Sequence, residues 1–198
     1  MSNKKANLYI DGTNFFAGQN ELFGPKKYLS FRHFIVELNK IINIDKIHFY
    51  ASYLPTKGRL ASKHKHLALV ESLFYRDVKS TPNLEFYKGH RSPASGREKG
   101  VDVHLAVDLV KHALENRCNT IVIMTGDADL SYPIEIVKIY GVQTIAIFLP
   151  NRFALGISHK VNKSYVLNYK RCFKFPSKDL PKSLKTLQLK DPACKHTG

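Results

Sequence analysis

The sequence predicts an α/β fold, a mostly parallel sheet covered on both faces by helices. Three observations carry that expectation. Two short apolar runs, "NLYI" (7–10) and "TIVIMT" (120–125), lack the polar alternation of a half-exposed strand and suit strands buried on both faces. Helical patterns fall between the strand-like runs, and that alternation marks a parallel sheet with crossover helices. At 198 residues, the chain is long enough for one sizeable core and short for two.

The elements follow in order. The run 7–10 is the first strand, and Gly12 after Asp11 suits a turn. A helical pattern covers about 30–42, followed by "KIHFYASYL" (46–54), a strand rich in aromatic and β-branched residues. A second helix over about 60–77 leads to the strand "LEFYK" (84–88). Helices are predicted over 101–115 and 131–140, on either side of the central run 120–125. "VQTIAIF" (142–148) is a further strand, and "SYVLNY" (164–169) is predicted as an edge strand. Beyond Tyr169 the composition changes: residues 170–198 hold eight Lys and Arg against two Asp, with three prolines. The expected organisation is therefore a folded unit, 1–169, and a basic, partly disordered C-terminal extension, 170–198.

The charge balance narrows the partners. Thirty-one Lys and Arg against 16 Asp and Glu give a net +15, of which +6 lies in the extension and +9 remains on 1–169. Such an excess invites a polyanion, nucleic acid before an anionic membrane surface. Three scattered cysteines (Cys118, Cys172, Cys194) make no disulfide framework or zinc ribbon. No run approaches the ~20 apolar residues of a membrane helix, and the N-terminus has no signal-peptide pattern. A cytoplasmic protein is expected, without a membrane partner.

Acidic residues are few in 1–169, so their positions can be inspected singly. Asp11 ends the first strand; Asp127 and Asp129 follow the central run; Asp102 opens the helix at 101–115. In a parallel sheet, strand C-termini and the following helix N-termini share one edge, and doubly wound sheets bind ligands where the strand order reverses. A 3-2-1-4-5 order would set Asp11 beside Asp127. Each acid has a structural alternative: a turn for Asp11, the first helical turn for Asp102, a cap for Asp129. Four carboxylates aimed at one cleft, however, repel one another unless a cation neutralises them, and hard oxygen donors suit Mg²⁺ or Mn²⁺. No Walker loop, G-x-G-x-x-G motif or nucleophile elbow competes.

The stretches "YIDGTNFF" (9–16), "KGVDVHLAVDLV" (99–110) and "TGDADLSYPIEIVKIYGVQTIAIF" (125–148) resemble, in this order and spacing, the NYN domain family, the LabA-like branch of the PIN-like nucleases. The resemblance implies a Rossmann-like three-layer α/β/α sandwich over 1–169 and a metal-dependent ribonuclease. It maps the family's acids onto Asp11, Asp102, Asp127 and Asp129, its strand-1 asparagine onto Asn14, and a further recurrent acid onto Asp108. Two positions depart from the pattern: Leu130 stands where the family often has Phe, and Ser164 replaces an Asp near the end. Asp108, six residues from Asp102, falls on another helical face and is a candidate to orient Lys111 or His112.

The expected activity is endonucleolytic hydrolysis of RNA, favoured over DNA, with Asp11, Asp102, Asp127 and Asp129 as catalytic and metal-binding residues. Asn14, Thr125 and Ser131 are expected to hydrogen-bond phosphate or metal-bound water, and Lys99 to neutralise developing phosphate charge. An acidic centre needs basic walls; these are sought in Lys57, Arg59, Lys63 and Lys65, and in Lys88, Arg91, Arg97 and Lys99 of the Gly- and Ser-containing loop 88–100. Phe15, Phe16 and Tyr53 are candidates to stack a base, with core packing the favoured reading of the Phe pair. Two alternatives stay open: a non-catalytic RNA-binding or regulatory module, and another Mg²⁺-dependent phosphotransfer enzyme. For the latter, Thr13 stands where the haloacid-dehalogenase pattern needs a second aspartate. The oligomeric state is open, a homodimer included.

Overall fold

The strands alternate apolar side chains between two faces because both faces are covered. In the computed structural model, which describes residues 6–24, 27–53, 62–91, 98–167 and 173–174, the chain runs β1 (Ala6–Asp11), α1 (Gly12–Phe23), β2 (Tyr28–Leu29), α2 (Phe31–Asn39), β3 (Ile44–Ala51), α3 (Ser62–Lys79), β4 (Leu84–Lys88), β5 (His90–Arg91), β6 (Glu98–Lys99), α4 (Val101–Leu114) and β7 (Thr120–Met124). A 3-10 turn (Ala128–Leu130) then leads into α5 (Ser131–Ile139), β8 (Gln143–Phe148), α6 (Leu155–Lys160), β9 (Lys163–Val166) and β10 (Phe173–Lys174). Six strands form one parallel sheet in the order β4-β3-β1-β7-β8-β9. The order reverses between β1 and β7, whose registers pair Ile10 with Met124, so the ends of these two strands are neighbours.

Two cores flank the sheet. Leu8 and Ile10 of β1, Phe49 of β3 and Met124 of β7 pack with Phe15, Phe31, Phe34 and Phe74 of α1, α2 and α3. Tyr9, Tyr50, Ile123 and Phe148 point the other way, onto Leu105, Leu109, Ile134, Val137 and Ile157 of α4, α5 and α6. Adjacent residues of one strand thus feed opposite layers, which is the period-2 geometry of a strand. β1 and β7 are buried along their whole length, and the α/β sandwich read from the sequence is the observed architecture.

Three segments differ from the expectation. Residues 12–23 form a helix rather than a simple turn. Its inward positions, the apolar Phe15, Phe16, Leu22 and Phe23 and the buried amide Gln19, do repeat at helical spacing, but Gly12, Thr13, Asn14, Gly18 and Asn20 are weak helix formers and mask the pattern. The ends of the expected loop 88–100 form a hairpin, His90 opposite Lys99 and Arg91 opposite Glu98; residues 92–97 lie outside the described residues. A short α6, unassigned from the sequence, precedes the edge strand β9. Of the extension 170–198, only Phe173 and Lys174 are described, paired antiparallel with Leu29 and Tyr28; the expectation of disorder falls otherwise outside the described residues.

Candidate active site at the carboxyl edge of the sheet

Asp11 is the last residue of β1 and the N-cap of α1, and it is almost fully buried. Its Oδ1 accepts the backbone N–H of Asn14 at 2.9 Å, and its Oδ2 accepts the Thr125 hydroxyl at 3.0 Å. That hydroxyl in turn accepts the Asp127 N–H at 3.0 Å. Asp127 caps the 3-10 turn, its Oδ1 accepting the Asp129 N–H at 3.0 Å. Asn14 closes the arrangement across the strand gap, because its Oδ1 accepts the Gly126 N–H at 3.1 Å. A strand-to-helix turn with few side-chain atoms is required here: a Cβ on Gly126 would lie 2.7 Å from the Arg152 carbonyl oxygen.

Asp102 opens α4 after Gly100, whose φ of 83° is left-handed and suits only glycine without strain. A carboxylate in the first helical turn is favoured by the helix dipole, yet the surroundings oppose its charge. Partial loss of solvent, and then the charges of Glu98, Asp127 and Asp129, raise its pKa. Burial raises Asp11 further, to about 7, with the charges of Asp102 and Glu98 adding to it against the hydrogen bonds from Asn14 and Thr125. Asp11, Glu98, Asp102, Asp127 and Asp129 therefore share one electrostatic neighbourhood.

Glu98 was missed in the sequence, being counted within a basic loop. It sits on β6, and its carboxylate accepts the Thr13 hydroxyl at 2.7 Å and the Ser52 hydroxyl, while Thr13 Oγ1 accepts the Ser52 N–H at 3.2 Å. The available signal was its spacing, an acid four residues before Asp102 at the approach to α4. Thr13 is thereby held by Glu98.

The other expected residues have partners of their own or face solvent. Asp108 accepts the Tyr50 hydroxyl at 2.8 Å on the α4 side of the sheet, and its charge acts on His112; it is bound to this interior layer. Ser131 turns its hydroxyl back to the Ala128 carbonyl. Lys99, Lys88 and Lys65 are exposed, with the Lys88 ammonium 5.2 Å from the Tyr53 ring centre. Lys57, Arg59 and Arg97, and the side chains of Lys63 and Arg91, lie outside the described residues. Phe15 and Phe16 are core residues, 2% and 6% exposed, and are not free to stack a base.

Every donor in the cluster is oxygen, and burial, with acidic neighbours adding to it, raises the proton affinity of Asp11 and Asp102, a penalty on their charge that a bound cation would offset. That chemistry fits a hard divalent ion. The cluster is an acidic edge rather than a closed cage: among the described residues, no three His, Cys, Asp or Glu side chains are grouped so as to hold one ion. No helix among the described residues is long and apolar enough to cross a membrane.

A doubly wound parallel sheet with an acidic carboxyl edge at its switch point defines a Rossmann-like α/β protein, an architecture consistent with a PIN-like sandwich. The NYN domain family matches residues 5–165, and the chain belongs to that family, which is generally nuclease-like and implies a nucleic-acid substrate. The fold is similar to the crystal structure of a protein of unknown function from Vibrio parahaemolyticus, with a TM-score of 0.63 at 12% identity, covering 85% of this chain and 96% of that one. No curated protein matches the chain.

Proposed function

We propose that this chain is a metal-dependent endoribonuclease that hydrolyses RNA phosphodiester bonds at the carboxyl edge of its sheet. The observation that carries this reading is the state of Asp11, a buried carboxylate tied through Thr125 to the Asp127 turn and lifted to about 7 by burial and acidic neighbours. Such perturbed acids cluster at functional sites. Asp11, Asp102 and Asp127 are the residues to hold Mg²⁺ or Mn²⁺, with Asp129 assisting, one or two carboxylates per ion and water completing the shell. A bound ion of this kind supplies an oriented, acidified water and charge stabilisation at the leaving oxygen.

The chain's own groups do the rest. Asn14 and Thr125 hold Asp11 in one rotamer and align it with the Asp127 turn. Glu98 anchors Thr13 and adds negative charge, which strengthens cation binding. Lys99, exposed on β6, takes phosphate charge. Lys88 and Lys65 grip the backbone of the strand, a salt-sensitive and sequence-independent contact. RNA is favoured over DNA, and the cytoplasm is the compartment this reading assigns.

The test is cleavage of single-stranded and structured RNA with Mn²⁺ or Mg²⁺ by the native protein and by Asp11→Asn. Cleavage by the native protein alone is expected; equal cleavage by both sinks the assignment. A second reading, a non-catalytic RNA-binding module, draws on the open arrangement of the acids. It predicts RNA binding without cleavage, unchanged by EDTA.

A further inference from the structure

The carboxyl edge of the sheet differs from end to end. On the β4 side it is bordered by Lys88 and Lys99, both exposed. On the β7–β8 side, the two segments that leave the strands, 125–133 and 149–156, contain a single cation, Arg152. Its guanidinium is paired with Glu21. What this side does present is aromatic. Tyr132, in the first turn of α5 and three residues beyond Asp129, is 69% exposed. Phe153, after β8, is 40% exposed and meets Phe148 edge-on at 5.0 Å between centres.

The two segments that carry these aromatics pack on one another. The Arg152 backbone lies against Gly126, where an added Cβ would meet its carbonyl oxygen at 2.7 Å. Gly156 faces Ser131, with an added Cβ 3.8 Å from its hydroxyl. The segment bearing Phe153 is thus packed on the turn bearing Asp127, Asp129 and Tyr132. Tyr132 makes no ring contact among the described residues, whereas the Tyr53 ring carries Lys79 at 5.1 Å and Lys88 at 5.2 Å. A tyrosine so exposed at the rim of a site contributes nothing to the core; its open face is the feature to explain.

We propose that Tyr132, flanked by Phe153, is a nucleobase-stacking subsite that holds an unpaired base of the substrate beside the Asp127–Asp129 turn. The inference rests on the nuclease reading for the class of ligand. It adds that the strand is gripped by charge on the β4 side and by stacking on the β7–β8 side. With Arg152 engaged by Glu21, no cation of the segments 125–133 and 149–156 is left to supply the second grip. Stacking does, and it accepts any base because each has a π-face. A base inside a duplex has no face to offer, so the subsite selects single-stranded nucleic acid.

The chain has no tryptophan, so Tyr132→Trp introduces a single tryptophan reporter at the subsite, excited at the red edge where the tyrosines do not absorb. In an Asp11→Asn background, which keeps the strand uncut, an eight-nucleotide oligouridylate is expected to quench its emission, and a blunt duplex of equal length is not. By direct titration with the same oligonucleotide, Tyr132→Ala is expected to lose about fivefold or more in affinity, and Tyr132→Phe to keep it. Equal affinity of the alanine variant and the native protein overturns the proposal, as does equal quenching by duplex. So does emission that nucleic acid leaves unchanged while Tyr132→Ala alters the sedimentation of the free protein, which marks a protein contact instead. Quenching by a strand that the native protein never cuts would sink the nuclease reading and leave the subsite standing; cutting without quenching would do the reverse.

Discussion

The Thr125 hydroxyl donates to Asp11 Oδ2 at 3.0 Å while accepting the Asp127 N–H at 3.0 Å, so one side chain joins the ends of the two central strands. Thr125 is itself buried, 4% exposed, and water cannot replace it cheaply. Thr125→Val removes both bonds at nearly constant volume. The expected loss is about 1–3 kcal/mol of stability and roughly 10–100-fold in cleavage, the usual cost of disturbing a group that orients a metal ligand. Thr125→Ser, which keeps the hydroxyl, should restore most of both. Thermal melts and cleavage rates of the two variants check this.

Asp11 ties stability to pH. Its carboxyl is lifted from 3.8 to about 7 in the folded chain, so between those values the native state keeps a proton that the unfolded chain releases. Stability from this group is therefore highest at low pH, falls as pH rises through that window, and levels off above it. In EDTA at pH 8, Asp11→Asn should melt above the native protein by roughly 4–8 °C, corresponding to about 2 kcal/mol after the weakened Thr125 bond. At pH 4 the two should melt together. Millimolar Mg²⁺ should raise the native melting temperature and leave the variant unchanged. A variant that melts lower at pH 8 would contradict the electrostatic account.

Much of this was legible in the sequence because hydrophobic runs and their spacing report burial directly. Continuous apolar stretches at 7–10 and 120–125 became the buried β1 and β7, and their adjacency follows from the order reversal. Asp11 and Asp127 lie at one edge because parallel strands end together. α1 was hidden because its helix is sustained by packing of Phe15 and Phe16 against Phe74, at 5.9 and 5.8 Å between ring centres, rather than by propensity. Glu98 was hidden because its partners, Thr13 and Ser52, are 85 and 46 residues away. Ser131 was assigned by proximity in sequence, but its hydroxyl donates to the Ala128 carbonyl of its own turn; Asp108 came from the family resemblance, and its spacing from Asp102 already set it on another helical face, where it accepts from Tyr50.

Glu98 should set the proton affinity of its neighbours. Its charge adds to the upward shift of both Asp11 and Asp102. Glu98→Gln removes the charge while leaving an oxygen to accept from Thr13 and Ser52. The Asp11 titration midpoint, read from carboxyl-carbon NMR in EDTA, should move below about 7, and the acid limb of the cleavage profile should move to lower pH with it. Mg²⁺ affinity should weaken, since one less negative charge faces the ion. An unmoved Asp11 midpoint would show that Glu98 is a purely structural anchor.

Gly126 is where site and scaffold touch. Its φ is not in the left-handed region, so backbone freedom is not what the position demands. Space is: a Cβ there would lie 2.7 Å from the Arg152 carbonyl oxygen, 2.9 Å from the Arg152 Cβ and 3.2 Å from Asn14 Oδ1. Two of those atoms belong to or adjoin backbone and cannot swing aside, and the third accepts the Gly126 N–H. Gly126→Ala must therefore push the 149–154 segment away from the β7 turn or break the Asn14 bond. Overpacking of this kind costs about 1–3 kcal/mol. If the turn yields, Asp127 shifts relative to Asp11 and cleavage falls along with stability; if the 149–154 segment yields, Phe153 moves and single-strand affinity falls first. Measuring melting temperature, cleavage and oligonucleotide affinity on this one variant separates the two, and an alanine that leaves all three unchanged would refute the close packing of these segments.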